Sequence, residues 1–163
     1  MVCMGNICRS PMAQMVALQM AQSLPAGGDA GWRKLSFDSA GTHANHIGQP
    51  ADPRAKAALE RHGYKVGKAR SRRITEKDFT HYDLIVAMDS ANLSALQRLC
   101  PPEHMAKLCK LLDFADGLSE TDVPDPYYGN EAGFERVLDL CEVGVRGLLG
   151  RLQQQRQAPH GAA

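Results

Sequence analysis

The sequence predicts an α/β protein, a three-layer α/β/α sandwich around a four-stranded parallel sheet. Short apolar runs that are typical of buried strands alternate with segments whose apolar residues recur at helical spacing. Connections of helix length between successive strands favour a parallel sheet covered by helices on both faces. With 163 residues, of which 44% are hydrophobic, the chain is long enough to bury the core of one such domain.

The opening stretch, residues 2–11, has the pattern of a strand end, a tight loop and a helix start. Gly5 and Asn6 tolerate the left-handed backbone that a tight loop requires. Ser10 and Pro11 are typical of a first helical turn, and the helix is expected to run to about residue 20. This order places the loop at the carboxyl end of a strand.

The same loop has the features of a phosphate site with a nucleophile at its floor. Backbone N–H groups of a tight loop and the N-terminus of the following helix together bind doubly charged oxyanions. Arg9 adds a planar fork of donors that matches phosphate oxygens. This positive field favours the thiolate form of Cys3, which is the form that attacks electrophiles. The other residues of the predicted phosphate loop are Met4, Gly5, Asn6, Ile7, Cys8 and Ser10.

The next strand is predicted over residues 34–42, where apolar and polar side chains alternate until the pattern breaks at Gly41. Trp32, just before it, is expected to be a packing anchor. A helix is then predicted over residues 53–62. It has an aspartate at the N-cap position, a proline at its first residue, and Gly63 directly after its end.

The second half of the chain continues the alternation of strands and helices. Residues 82–89 form a continuous apolar run, typical of a strand buried on both faces. Residues 90–99 show helical spacing up to a Pro-Pro break, and the apolar run 105–114 predicts the fourth strand. A last helix carries an apolar stripe from 134 to 152, and the polar residues 153–163 are expected to be a disordered tail.

Two acidic residues are predicted at the same edge of the sheet as the opening loop. Asp89 ends the third strand, and Asp125 lies between Pro124 and Pro126, which hold its backbone nearly extended. Ligands of parallel α/β sheets bind beyond the carboxyl ends of the strands. We therefore expect the chemistry of the site in these loops, although an Asp-Pro pair by itself also fits an ordinary turn.

Composition excludes several other classes of function. The net charge is +1, with no run of like charge longer than the short basic stretch 70–73, so neither nucleic acid nor a membrane surface is implied as a partner. No apolar segment is long enough to span a membrane and no signal peptide is recognised, which predicts a cytoplasmic protein. Five cysteines without framework spacing indicate reduced thiols, and no zinc-ligand spacing occurs, so we expect neither metal nor cofactor. No pattern indicates the oligomeric state.

Five motifs, taken in order, resemble those of the low molecular weight protein tyrosine phosphatases. They are VCMGNICRSP from Val2, DSAGT from Asp38, DPR from Asp52, AMD from Ala87 and DPYYG from Asp125. The resemblance covers residues 1–152 and implies a single domain with the phosphotyrosine phosphatase I-like fold. It also implies an enzyme that hydrolyses phosphotyrosine and aryl phosphate monoesters through a phosphocysteine intermediate, acting on a phosphotyrosine protein or a small aryl phosphate.

The resemblance further implies a role for each matching residue. Cys3 would be the nucleophile, Arg9 the phosphate-binding arginine and Asp125 the general acid. Asn6 and Ser10 would shape the loop and steady the thiolate. Cys8 would pair reversibly with Cys3 under oxidation. The aryl ring of the substrate would lie in a cleft lined by Tyr127, Tyr128 and the loop that carries Asn45.

The chain departs from the family pattern at three places. Only Met1 and Val2 precede the nucleophile, so the first strand is expected to be truncated, through a mis-set start or a missing segment. Asn45 stands where the family usually has an aromatic residue, which weakens one wall of the cleft. Ala69 stands where many relatives carry a histidine, so looser support of the phosphate loop is expected.

Two alternative functions share parts of this pattern. An arsenate reductase has the opening loop but needs two further redox cysteines, for which Cys100 and Cys109 would be the candidates. A non-catalytic phosphoprotein-binding module would keep the loop and lose the nucleophile or the acid. Cys3 and Asp125 are both present, and the Asp-Pro-Tyr-Tyr segment fits the phosphatase better.

Overall fold

A computed structural model describes residues 1–24 and 35–157 of the chain. Its sheet has four parallel strands in the order β2-β1-β3-β4, which confirms the predicted sheet. The strands are all short: β1 is Val2–Cys3, β2 is Ala40–Gly41, β3 is Ile85–Ala87 and β4 is Leu108–Lys110.

Three of the strands are shorter than the sequence pattern predicts. In the stretch predicted as the second strand, only Ala40–Gly41 pairs, because its neighbour β1 offers only Val2 and Cys3 as partners. Residue 34 of that stretch and Trp32 lie outside the described residues. The third strand is Ile85–Ala87 rather than 82–89, and in the run 105–114 only Leu108–Lys110 is extended. Two 3-10 helices flank this last strand, at Pro102–Lys107 and Leu111–Phe114.

In the described part of the chain, five α-helices connect and cover the sheet: α1 Arg9–Ser23, α2 Pro53–Arg61, α3 Glu76–His81, α4 Ser90–Leu99 and α5 Glu131–Gln157. Helices α2 and α4 confirm the predicted segments. Helix α3 was not predicted, although the pattern T-x-x-D at its start forms a capping box between Thr75 and Asp78.

The last helix is longer than predicted. Helix α5 continues to Gln157, so residues 153–157 are helical and the expectation of a disordered tail is wrong for them. A polar sequence of good helix formers extends a helix that the apolar stripe has already nucleated. Residues 158–163 lie outside the described residues.

The two faces of the sheet pack against different helices, which gives the three layers. Cys3 and Val86 point into the larger core, formed with α1, α2 and α5. Val2, Ile85 and Ala87 point into the smaller core, formed with α3 and α4. This alternation is the period of two that a strand imposes. The carboxyl ends of β1, β2 and β3 are therefore left free to carry the loops of a site.

Among the residues described, no helix combines the length and the apolar character needed to cross a lipid bilayer.

Candidate active site

The phosphate loop, residues 3–10, is held in one shape by the side chain of Asn6. This residue has φ of 56° and is 4% exposed. Its Nδ2 donates to Ser10 Oγ and to Ser39 Oγ, both at 2.9 Å. Its Oδ1 accepts from the backbone N–H of Arg72 at 3.0 Å. The left-handed backbone predicted from Gly5-Asn6 thus falls on Asn6, and one side chain ties the loop to helix α1, to the segment before β2 and to residue 72.

These bonds orient the hydroxyl group of Ser10 toward the predicted nucleophile. Cys3 Sγ and Ser10 Oγ are 3.0 Å apart. Ser10 Oγ accepts a hydrogen bond from Asn6, so its own proton can be donated to the sulfur, or to Ala40 O at the longer distance of 3.4 Å. A hydroxyl donor of this kind stabilises a thiolate more than a thiol. Buried side-chain polar atoms among the described residues all have hydrogen-bond partners, those of Asn6 and Ser10 included, and the looser support expected from Ala69 stays a prediction.

Gly41 lets strand β2 approach the phosphate loop closely. A Cβ atom at this position would lie 2.7 Å from Met4 O and 3.2 Å from Asn6 N. Directly after it, Thr42 N donates to Cys3 O at 2.9 Å and His43 N donates to Met4 O at 3.0 Å. The backbone carbonyls of the loop are therefore bound from outside. The glycine in the D-S-A-G-T motif is thus explained by steric contact with the loop.

Arg9 lies at the centre of the site and is bound by groups from two other loops. Its side chain is 3% exposed. Nη1 donates to the Asp89 carboxylate and, at 3.2 Å, to Val123 O, and Nη2 donates to Asp125 Oδ2 at 2.9 Å. Burial alone would lower the pKa of Arg9, but the negative charges of Cys3, Asp125 and Asp89 outweigh burial and raise it. Arg9 is therefore a permanently charged group between the two predicted acidic loops.

Asp89, which the sequence analysis predicted at this edge of the sheet, binds Arg9. Its Oδ1 also accepts from Asn92 N at 2.6 Å and caps helix α4. One carboxylate thus fixes both the start of α4 and the orientation of Arg9. Its position directly after a buried strand was the signal in the sequence.

The loop that carries Asp125 is anchored to the sheet just before it. Val123 is fully buried, and its N–H donates to Met88 O at 2.8 Å. Asp125 itself is partly exposed, with 44% of its side chain accessible, and Tyr127 N donates to its Oδ1 at 3.2 Å. The predicted acid therefore stands beside Arg9 and reaches solvent, as a proton donor must.

The three residues predicted to line the cleft differ in their exposure, and their role stays a prediction. Tyr127 is half-buried, and Tyr128 is 97% exposed, with its ring at right angles to that of Tyr127 and 5.0 Å away. Asn45 is exposed. The residue of its loop that reaches the site is His46, whose ring lies 6.0 Å from that of Tyr127.

His46 also packs against the phosphate loop itself. A Cβ atom on Gly5 would meet His46 Cδ2 at 2.8 Å, and His46 Nδ1 is 3.0 Å from Gln49 Oε1. The sequence analysis assigned no histidine to the site. The proximity of His46 to Asn45, in a loop already placed at the cleft, was the signal that could have found it.

All five cysteines are free thiols. Burial raises the pKa of Cys8 to about 12, and the nearby Asp52 carboxylate acts in the same direction. Cys100 ends helix α4 and lies in the smaller core, on the opposite face of the sheet from Cys3. Burial raises the pKa of Cys109 to about 12. This arrangement does not favour a relay of thiols from Cys3 through Cys100.

Within the described residues, no group of three or more His, Cys, Asp or Glu side chains could hold a metal ion.

Comparisons with known proteins agree with this geometry. The sequence model of the family "Low molecular weight phosphotyrosine protein phosphatase" matches residues 1–158. The low molecular weight protein-tyrosine-phosphatase of Streptomyces coelicolor is 44% identical over 158 residues, covering 94% of this chain and 92% of that protein. The crystal structure of a protein tyrosine phosphatase from Entamoeba histolytica, with Hepes in the active site, superposes with a TM-score of 0.87 at 39% identity over 95% of this chain and 96% of that one. For YfkJ from Bacillus subtilis the TM-score is 0.86 at 34% identity, over 96% and 94% of the two chains.

Proposed function

This chain belongs to the low molecular weight phosphotyrosine protein phosphatase family and is a hydrolase of that class, and we propose that Cys3 is its nucleophile, Arg9 its phosphate-binding arginine and Asp125 its general acid. The observation that carries the proposal is the 2.9 Å bond from Arg9 Nη2 to Asp125 Oδ2. It joins the arginine of the phosphate loop to a carboxylate delivered from a different loop.

In the first half-reaction, Cys3 Sγ attacks the phosphorus atom in line with the leaving oxygen. The loop amides and Arg9 hold the remaining phosphate oxygens as charge spreads over them. The P–O bond to the aryl group breaks, and its electron pair leaves with the phenolic oxygen, which takes a proton from Asp125.

In the second half-reaction, the ionised Asp125 accepts a proton from water, and this water breaks the S–P bond of the phosphocysteine. Inorganic phosphate and the Cys3 thiolate are released. One carboxyl thus serves as acid and then as base. We propose a phosphotyrosine residue of a protein, or a small aryl phosphate, as the substrate. Its ring would rest against Tyr127 and the His46 loop, because His46 packs against Gly5 of the phosphate loop and its ring lies 6.0 Å from that of Tyr127.

The test is hydrolysis of 4-nitrophenyl phosphate and of a phosphotyrosine peptide by the wild type, Cys3→Ser and Asp125→Ala. We expect Cys3→Ser to lose all vanadate-sensitive activity and Asp125→Ala to lose about 10²- to 10⁴-fold in kcat, the usual contribution of a general acid. An acid quench of the wild type during turnover traps phosphocysteine at Cys3. A phosphatase activity that survives Cys3→Ser, or label on another residue, refutes the assignment.

A further inference from the structure

We propose that Arg54 is a positioning residue that holds the turn Pro126–Gly129 against helix α2 and so fixes where the Asp125 carboxyl stands over the phosphate loop. The inference rests on the role of Asp125 as general acid proposed above. It adds a residue that touches neither the phosphate nor the reacting atoms.

The guanidinium group of Arg54 binds two backbone carbonyls of this turn. Nη2 donates to Tyr127 O at 3.0 Å and Nη1 donates to Gly129 O at 3.3 Å. The turn is closed by a bond from Gly129 N to Pro126 O at 2.9 Å. Because the turn begins at the residue after Asp125, any shift of these carbonyls moves the carboxyl as well.

The other edge of the same guanidinium group is bound by Asp52. Nε donates to Asp52 Oδ1 at 3.1 Å and Nη2 donates to Asp52 Oδ2 at 2.9 Å. Asp52 is 9% exposed and caps α2 through a 2.8 Å bond from Arg54 N. The backbone N–H of Asp52 donates to Ile7 O at 2.7 Å. A continuous set of hydrogen bonds therefore runs from the phosphate loop, through Asp52 and Arg54, to the turn Pro126–Gly129.

Two aromatic rings hold the guanidinium group in this orientation. Its carbon atom lies 4.6 Å from the centre of the Phe134 ring and 5.8 Å from that of Tyr127. Arginine presents a rigid fork of donors that can bind a carboxylate and carbonyls at once, which a lysine cannot reproduce. The position therefore requires arginine specifically.

The carboxylate of Asp125 is bound by Arg9, but among the described residues the turn that follows it is hydrogen-bonded to another element only through Arg54. Before Asp125, Val123 is buried and bound to Met88 O. After it, the turn reaches solvent, and Tyr128 is 97% exposed. A general acid must stand within hydrogen-bond reach of the leaving oxygen, and a misplacement of about 1 Å costs on the order of 100-fold in rate. Arg54 supplies the second anchor.

The test is the dependence of kcat/KM on the leaving group in Arg54→Met, with Arg61→Met as the matched control. Arg61 lies on the same helix and has similar exposure, 45% against 37% for Arg54, but it is paired with Glu135 of α5. For phenyl phosphate, whose leaving group needs protonation, we expect Arg54→Met to lower kcat/KM by about 10- to 100-fold. For 4-nitrophenyl phosphate, whose nitrophenolate leaves easily without protonation, we expect kcat/KM of Arg54→Met to fall by about threefold or less. Arg61→Met should have nearly the wild-type kcat/KM for both substrates.

A second variant and a second background separate positioning from a general loss of structure. Arg54→Lys keeps a cation beside Asp52 and should show the same selective loss. In an Asp125→Asn background, Arg54→Met should have no further effect on phenyl phosphate, and the inhibition constant of inorganic phosphate should stay unchanged in Arg54→Met. An equal loss with both substrates, or an undiminished loss in the Asp125→Asn background, overturns the positioning role while leaving the proposed mechanism intact. Wild-type behaviour of Asp125→Asn itself overturns both.

Discussion

Replacing Asn6 with alanine should destabilise the protein and impair catalysis at the same time. The change removes three hydrogen bonds, to Ser10, Ser39 and the N–H of Arg72. At a net value of about 1 kcal/mol for each, their loss amounts to about 3 kcal/mol. Alanine at a φ of 56° adds about 1 kcal/mol, because its Cβ disfavours the left-handed region. We expect the free energy of unfolding to fall by about 4 kcal/mol in total, and the melting temperature by about 10 °C.

The companion variant Asn6→Gly separates the two contributions. Glycine loses the same three hydrogen bonds but adopts positive φ without strain, so it should be more stable than the alanine variant by about 1 kcal/mol. Both variants also remove the hydrogen bond from Asn6 to Ser10 Oγ, which lies 3.0 Å from Cys3 Sγ. We therefore expect kcat for 4-nitrophenyl phosphate to fall by at least about 10-fold, since one hydrogen bond to a charged group is worth about 1.5–3 kcal/mol.

The assays are urea unfolding followed by circular dichroism, and steady-state kinetics at a temperature where both variants remain folded. Ser39→Ala is the control, because it removes one bond of the three and leaves Ser10 oriented. An alanine variant as stable as the wild type, or a glycine variant less stable than the alanine one, would contradict the account of Asn6. Unchanged kcat in both variants would contradict the role given to Ser10.

Two further predictions concern stability. Gly147→Ala should fail to fold, or its free energy of unfolding should fall by at least about 3 kcal/mol, because the new Cβ atom would lie 1.7 Å from Phe114 O. In Gly150→Ala the new Cβ atom has nothing within 4 Å, so the free energy of unfolding should rise by up to about 1 kcal/mol. Thermal unfolding of the two variants checks this, and equal melting temperatures would refute it. Burial would raise the pKa values of Asp38 and Asp78, but hydrogen bonds, including those from Arg72, lower them, so their stabilisation is present above about pH 4 and is lost as the pH falls through the lowered values. Arg72→Met should therefore reduce the urea midpoint at pH 7 more than at pH 3, and an equal reduction at both would contradict the pairing.

The sequence was sufficient for the order of the strands and of four of the five described α-helices, all but α3, because these elements carry strong local signals. Helix α2 has Asp52 and Pro53 at its start, and Gly63 after its end has φ of 77°. Strand lengths could not be predicted in the same way. A strand ends where its neighbour stops pairing, and for β2 that neighbour is the two-residue β1. Pairing partners are distant in sequence, so apolar alternation alone extends such strands too far.

For the site, sequence spacing placed the groups that follow strand ends but not those that support them. Arg9 and Asp125 are 116 residues apart and form a direct bond, and the motifs anticipated that they share a site. The contacts of Asp89, His46 and Arg54 depend on how three loops meet at the edge of the sheet. No local pattern encodes such meetings, because each needs the relative placement of elements that only the packed core fixes.

Tyr128 is 97% exposed, so substitutions at this position can change substrate preference without changing the stability of the fold. A substitution there removes almost no buried area, so the folding equilibrium is nearly indifferent to it. Asn6 and Gly41, by contrast, hold the phosphate loop in shape through hydrogen bonds and close backbone contact, so substitutions there carry a cost in stability. Selection for new substrates can therefore act on the rim, residue 128 first, while the reacting groups below stay unchanged. Variants with every other amino acid at this position should share nearly the same melting temperature. Their relative kcat/KM values on a set of phosphopeptides should differ from one variant to the next.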